Sequence, residues 1–255
     1  MIHDTKLITY TNKPQLDCYF NPILHSIYTA GKPEGILTTL DGQNLYKTGN
    51  GSGDKILVIL TDIFGHEYIN TQLVADELAQ STGYLVLVPD ILKGDPATFG
   101  DPNLRTHWLP KHTPEITTPI VDKFLSSVKS KYNPSYLVGI GYCFGGKWVI
   151  KNLAKDGAFD AGAVAHPSFV EIEEVEAVTK PLLISAAEID QIFTTELRGK
   201  TDEILKKNGQ SYRIDYFPGT SHGFAVRGEL SDPVVGKAKN KVIVDQVAWF
   251  EKYSP

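Results

Sequence analysis

From residue 55 onward, continuous apolar runs alternate with segments of helical spacing. Lys55–Leu60 (KILVIL) is apolar after its lysine, the pattern of a strand buried on both faces of a parallel sheet. Residues 68–81 then place Ile69, Leu73, Val74 and Leu78 on one side of a helix. A second short run, 85–88, is closed by Pro89 and Asp90. Residues 115–131 predict another helix, with Ile116, Ile120, Phe124 and Val128 spaced by four, Thr113 as cap and Pro114 in the first turn. Further strands are expected at 136–140, 161–165, 181–186 and 212–217, and further helices at 147–154, 195–207 and 235–252. In the last helix Ala238, Val242, Val247 and Phe250 share a face. Between these elements, residues 91–114 are rich in Gly, Pro, His and Asp; an irregular stretch of that length in a compact domain usually serves function. Residues 1–50 read as short strands and turns, ending in the loop signal Gly49–Gly53. Alternating strands and helices predict an α/β fold with a mostly parallel central sheet and helices on both faces. No repeat or linker divides it, so residues 1–255 are expected to form a single domain.

The most informative segment is Gly141-Tyr142-Cys143-Phe144-Gly145-Gly146, which follows a buried strand and opens a helix. That is the setting of a nucleophile elbow, G-x-Nu-x-G, where the chain turns sharply and only glycine avoids collision two residues either side. The helix N-terminus faces the thiol, and its unpaired N–H groups favour negative charge there. The amide of Phe144 becomes an oxyanion donor by position. On its own, G-x-C-x-G also describes a buried cysteine in a glycine-rich turn. Two further residues favour chemistry. Asp190 lies just beyond the run 181–186, at the strand edge where open α/β sheets bind ligands, with Glu188 as a rival for the same role. His222 sits in the loop after the last strand, and the order nucleophile, acid, histidine is that of α/β-hydrolases. The other histidines, His166 among them, have no such placement. Directly after the first buried strand comes Thr61-Asp62-Ile63-Phe64-Gly65; this loop commonly supplies the second oxyanion amide, here Ile63. Asp62 is either a partner of the thiol or a polar anchor for the loop, and the sequence leaves both open.

Composition narrows the partners. A net charge of -5 and a pI near 5.8 argue against nucleic acid, which needs clustered Lys and Arg. The acidic run Glu171, Glu173, Glu174 and Glu176 reads as a solvated surface. No apolar stretch reaches the length of a membrane span, and the N-terminus shows neither signal nor transit pattern. Two cysteines, Cys18 and Cys143, argue against a disulfide scaffold and point to a reduced, cytoplasmic setting. No HxxxH or HxH pair is present, so no metal site and no cofactor is expected.

Taken together, D-I-F-G at 62–65, G-Y-C-F-G-G at 141–146, the Asp190 loop and H-G-F-x-x-R at 222–227 resemble the dienelactone hydrolase family (carboxymethylenebutenolidases) over roughly residues 30–252. The fungal members are most similar, through I-L-T-D, V-P-D-I-L, A-H-P-S-F and D-Q-V-A-W-F in the same order. The resemblance implies an α/β-hydrolase fold, a Cys143–His222–Asp190 triad and oxyanion donors at Ile63 and Phe144. It implies a small ester or lactone as substrate, cleaved through an acyl-thioester, and an arginine that holds an anionic group; Arg227 matches it. Arg105, in the 91–114 loop, is a candidate for a second such arginine. Bacterial members carry Glu where this chain has Asp62, so the surroundings of the thiol are expected to differ. A monomer or homodimer is expected. Two other readings keep the fold: a peroxide- or electrophile-sensing thiol, and a non-catalytic binding protein.

Overall fold

The computed structural model describes residues 31–255. Cys18 lies outside the described residues, as does most of the expected N-terminal strand-and-turn region. Eight strands form one sheet: β1 (Ile36–Leu40), β2 (Gln43–Thr48), β3 (Lys55–Leu60), β4 (Leu85–Pro89), β5 (Tyr136–Tyr142), β6 (Ala161–Ala165), β7 (Leu182–Ile189) and β8 (Tyr212–Ser221). Their spatial order is β1-β2-β4-β3-β5-β6-β7-β8. β1 pairs antiparallel with β2, and β2 with β4; every other pairing is parallel. The helices are α1 (Ile69–Thr82), α2 (Pro114–Tyr132), α3 (Gly146–Lys151), α4 (Ile172–Glu176), α5 (Thr195–Asn208), α6 (Phe224–Arg227) and α7 (Pro233–Tyr253).

The continuous apolar runs are explained by two cores. Because strand side chains alternate, Ile56, Val58 and Leu60 of β3 pack on one face with Phe124, Trp148, Val175 and Leu205, from α2, α3, α4 and α5. Leu57 and Ile59 pack on the other face with Val74, Leu78, Phe224, Val242 and Phe250, from α1, α6 and α7. A strand covered on both sides has no polar face to show. The parallel strands all point the same way, so the segments after β3, β5, β6, β7 and β8 gather at one sheet edge.

Several expectations are corrected. The buried stripe of α2 is Thr117, Val121, Phe124, Leu125 and Val128, while Ile116 is exposed. A four-residue spacing overshoots a 3.6-residue turn by about 40° per step, so a row through Phe124 leaves the core by Ile116. Ile69 likewise stands exposed at the start of α1. Thr113 occupies the cap position of α2, but its side chain accepts no capping bond. The 91–114 stretch is not wholly irregular: it holds a π-helical turn, Leu104–Trp108, and a 3-10 turn, Leu109–Lys111. Trp108 is buried there and stacks on His112 at 3.8 Å. The acidic run is not simply solvated. Glu171 and Glu174 hold the ammonium of Lys147 at 3.0 and 2.9 Å, and that lysine side chain is only 3% exposed. Burying a lysine under α4 demands paired carboxylates. Burial in turn pushes the Glu174 carboxyl above its ordinary range, against the pull of Lys147.

Candidate active site

The strand-to-helix turn after β5 explains its own sequence. Cys143 has φ of 49°, a left-handed conformation unusual for a residue with a side chain. A Cβ on Gly141 would lie 2.6 Å from Gly146 Cα, and one on Gly145 would lie 2.1 Å from Leu60 O. Gly145 N donates to Thr61 O at 2.9 Å, tying the elbow to the end of β3. Cys143 is therefore fixed at the sheet edge, 6% exposed, at the start of the 3-10 turn Cys143–Gly145 that leads into α3.

Asp190 and His222 are brought to the same place by the last two strands. β7 ends at Ile189 and β8 at Ser221, and His222 N donates to Ile189 O at 3.0 Å. His222 Nδ1 lies 2.8 Å from Asp190 Oδ2, and His222 Nε2 lies 3.1 Å from Cys143 Sγ. Asp190 Oδ1 accepts from Ile192 N at 2.8 Å and Phe193 N at 2.9 Å, so the carboxylate is aimed by backbone. The rival Glu188 points elsewhere: it is exposed and accepts from Tyr216 Oη at 2.8 Å and Gly219 N at 2.7 Å. Burial opposes a charge on His222, but its bonds to Asp190 and Cys143 win and push its pKa up to about 9. Burial also opposes the charge on Asp190, yet the His222 ring and the two amides hold its carboxyl below the usual range.

Ile63 stands on the loop after β3 and Phe144 in the turn after β5, and the Gly145 N to Thr61 O bond ties the two segments together. The Ile63 carbonyl accepts from Ala97 N at 2.8 Å, so the 91–114 stretch fastens this loop. Phe144 N lies in the first turn after the elbow, where amides lack intrahelical acceptors. Asp62 turns out to be sealed. Its side chain is 0% exposed. Its Oδ1 accepts from Phe64 N at 2.9 Å and its Oδ2 binds Arg227, while no hydrogen bond joins it to the sulfur. It is a loop anchor and a partner for Arg227. The Arg227 side chain is 17% exposed and packs 5.3 Å from the Phe64 ring centre. Burial works against its charge, but Asp62 and then Cys143 outweigh it and raise its pKa. Arg105 is not brought in: it is exposed on the π-helical turn, with no hydrogen bond or ion pair to Cys143, His222, Asp190, Asp62 or Arg227.

The turn after β6 also belongs to the site, and the sequence reading passed over it. His166 is fully buried, with neither ring nitrogen hydrogen-bonded, and its ring lies edge to face with His222 at 5.2 Å. Burial, then the His222 and Arg227 charges, drive its pKa well below the ordinary histidine value, so it stays neutral. Ser168 Oγ lies 3.4 Å from Cys143 Sγ. The strand-edge rule that singled out Asp190 applies equally to A-H-P-S-F, which follows β6 directly. Among the described residues, no cluster of His, Cys, Asp or Glu is arranged to hold a metal ion, and no helix is long and apolar enough to cross a membrane.

Comparison with known proteins places the chain in a family. Residues 45–254 match the model of the dienelactone hydrolase family. Hydrolase tropI of Talaromyces stipitatus is 36% identical over 94% of this chain and 97% of its own. Dienlactone hydrolase 1 of Gibberella moniliformis is 32% identical over 87% and 88%. The crystal structure of dienelactone hydrolase from Anabaena variabilis superposes with a TM-score of 0.63 at 15% identity, over 87% of this chain and 98% of that one; at that identity the likeness concerns the fold. The chain has an α/β-hydrolase fold and belongs to the dienelactone hydrolase family, whose members are hydrolases acting on esters.

Proposed function

We propose that the chain hydrolyses a small carboxylic ester or lactone through Cys143, with His222 as its acid–base partner and Asp190 orienting the ring. The observation that carries this reading is the unbroken line of Cys143 Sγ, His222 and Asp190, with contacts of 3.1 and 2.8 Å. A ring with a pKa near 9 holds its proton at neutral pH, and beside it the sulfur works as thiolate. The thiolate attacks the substrate carbonyl. Negative charge builds on the carbonyl oxygen between the Ile63 and Phe144 amides, where each donor is worth about 3 kcal/mol in the serine proteases that set the scale. His222 gives its proton to the departing alkoxide, leaving an acyl-thioester. Water, losing a proton to His222, attacks that carbonyl; the C–S bond breaks and the thiolate returns. A thiolate is readily expelled from a tetrahedral intermediate, so activated esters and enol lactones suit this site better than amides.

Arg227 stands beside the sulfur with its charge already answered by Asp62, so an anionic substrate group would meet a neutralised pair. No metal or cofactor enters this chemistry as proposed. It requires a reduced thiol, and a reducing compartment such as the cytoplasm supplies one. The sensing alternative wants a resolving cysteine beside the reactive one, and among the described residues Cys143 has none. Turnover of p-nitrophenyl acetate by Cys143→Ala, Cys143→Ser and His222→Ala tests the assignment. Loss by a hundredfold or more in both Ala variants is expected; activity equal to the parent in either ends the proposal.

A further inference from the structure

The turn that follows β6 is held in a costly shape. His166 and Phe169 both sit at positive φ, 39° and 55°, flanking Pro167 and Ser168. Left-handed backbone at a bulky residue persists only where its surroundings fix it. Here His166 N donates to Ser185 O at 2.9 Å, Ser168 N donates to Cys143 O at 2.8 Å, and Lys147 Nζ donates to Phe169 O at 3.4 Å. Pro167 packs so closely on Gly146 that a Cβ there would lie 2.7 Å from the proline Cβ. The result is that Ser168, 4% exposed, is suspended from the backbone of the nucleophile itself, with Oγ 3.4 Å from the sulfur. Among the described residues that hydroxyl has no other hydrogen-bond partner. A buried hydroxyl must place its proton somewhere, and the sulfur is the one acceptor in reach.

We propose that Ser168 is a further catalytic residue: its hydroxyl donates a hydrogen bond to the sulfur of Cys143 and holds the attacking thiolate. This rests on the reading of Cys143 as nucleophile given above. The sulfur then accepts from His222 Nε2 and from Ser168 Oγ, with the Arg227 guanidinium also against it. When the S–C bond forms, charge leaves the sulfur and the Ser168 bond slackens. When water's oxygen bonds to the acyl carbon and the C–S bond breaks, the electron pair returns to sulfur and Ser168 donates to it again. The hydroxyl therefore favours the thiolate both as the resting nucleophile and as the group expelled in deacylation. A hydroxyl that merely filled space would do neither.

The test uses the full chain carrying Ser168→Ala, Ser168→Gly or Ser168→Thr. Iodoacetamide alkylation of Cys143 is followed across a pH series, with Cys143→Ala to subtract Cys18. Turnover of p-nitrophenyl acetate and thermal melting are measured beside it. In the Ala variant, alkylation near pH 6 is expected to slow roughly ten- to a hundredfold, as for loss of one charge-assisted hydrogen bond. Its kcat/KM should fall by a similar factor with little change in melting, and Thr, which restores the hydroxyl, should recover most of both. Should the Ala variant fail to fold, the Gly variant carries the same comparison. Alkylation and turnover equal to the parent's without the hydroxyl overturn the inference. If instead the parent cleaves no ester while loss of the hydroxyl still slows alkylation, the esterase reading falls and the Ser168–sulfur bond stands.

Discussion

Asp190→Asn is the sharpest probe of how this site works, because the backbone dictates which way the new amide must face. Asp190 Oδ1 takes two amide donors, Ile192 N at 2.8 Å and Phe193 N at 2.9 Å. An asparagine must leave its oxygen there, since turning its NH2 toward two N–H groups would set donors against donors. Its NH2 then faces His222 Nδ1, which at present contacts Oδ2 at 2.8 Å. A protonated Nδ1 meets a donor, so the ring must abandon that proton or swing away from the sulfur. Removing one hydrogen bond to a charged group costs about 1.5–3 kcal/mol, which corresponds to about one to two units in the His222 pKa. The alkaline limb of activity, expected near 9 in the parent from the raised His222 value, should move toward neutrality. In a serine protease the same exchange lowers turnover about 10⁴-fold through the wrong tautomer; a thiolate needs less help from its base, so a fall of roughly 10²- to 10⁴-fold in kcat/KM is expected here. Stopped-flow cleavage of p-nitrophenyl acetate across a pH series, with NMR titration of the His222 ring, reads both quantities. A variant with parent kcat/KM and an unmoved alkaline limb would refute the role assigned to Asp190.

Three other outcomes follow from the geometry. Gly145→Ala puts a methyl 2.1 Å from Leu60 O, where backbone must shift; a loss of about 3 kcal/mol or more in urea unfolding is expected, at the upper end of overpacking effects, and a melt like the parent's would contradict the elbow geometry. The His222 pKa, raised from 6.5 to about 9, contributes stability that is complete below about pH 6.5 and lost as pH rises through about 9. Its size is on the order of 3 kcal/mol, and urea midpoints of parent and His222→Gln should converge above that pH. Lys147→Ala strips the partner from Glu171 and Glu174 and should destabilise by about 3 kcal/mol, whereas Lys147→Met, keeping the buried stem, should cost less; a Met variant as stable as the parent would mean the charge plays no part.

How legible the molecule was depended on whether a feature is local. A strand covered on both faces writes a continuous apolar run, so β3 through β6 could be read from the apolar pattern alone. The elbow was legible because its glycines answer steric demands within five residues. Asp190 was separable from Glu188 only by structure, since both stand at the end of β7 and their facing is set by the irregular register between Ala187 and Ile189. The Asp62–Arg227 pair joins residues 165 apart, and nothing in either neighbourhood announces the other. His166 and Ser168 were missed for a related reason. Their places, one against the His222 ring and the other against the sulfur, are created by two left-handed residues and a carbonyl of Cys143, none of which leaves a pattern in spacing. Glu171 and Glu174 read as surface charge because nothing beside them in sequence announces the lysine they pair with, 24 and 27 residues earlier.

The sulfur and its base are mounted on parts of the sheet with unequal security. β5 lies between β3 and β6 in the interior of the sheet, whereas β8, which carries the histidine, is the outermost strand on its side. Proteins open locally from such margins well before they unfold as a whole. Fraying of β8 withdraws the imidazole and leaves the thiol in place, so warming should silence the enzyme by unhitching one strand while most of the molecule still holds.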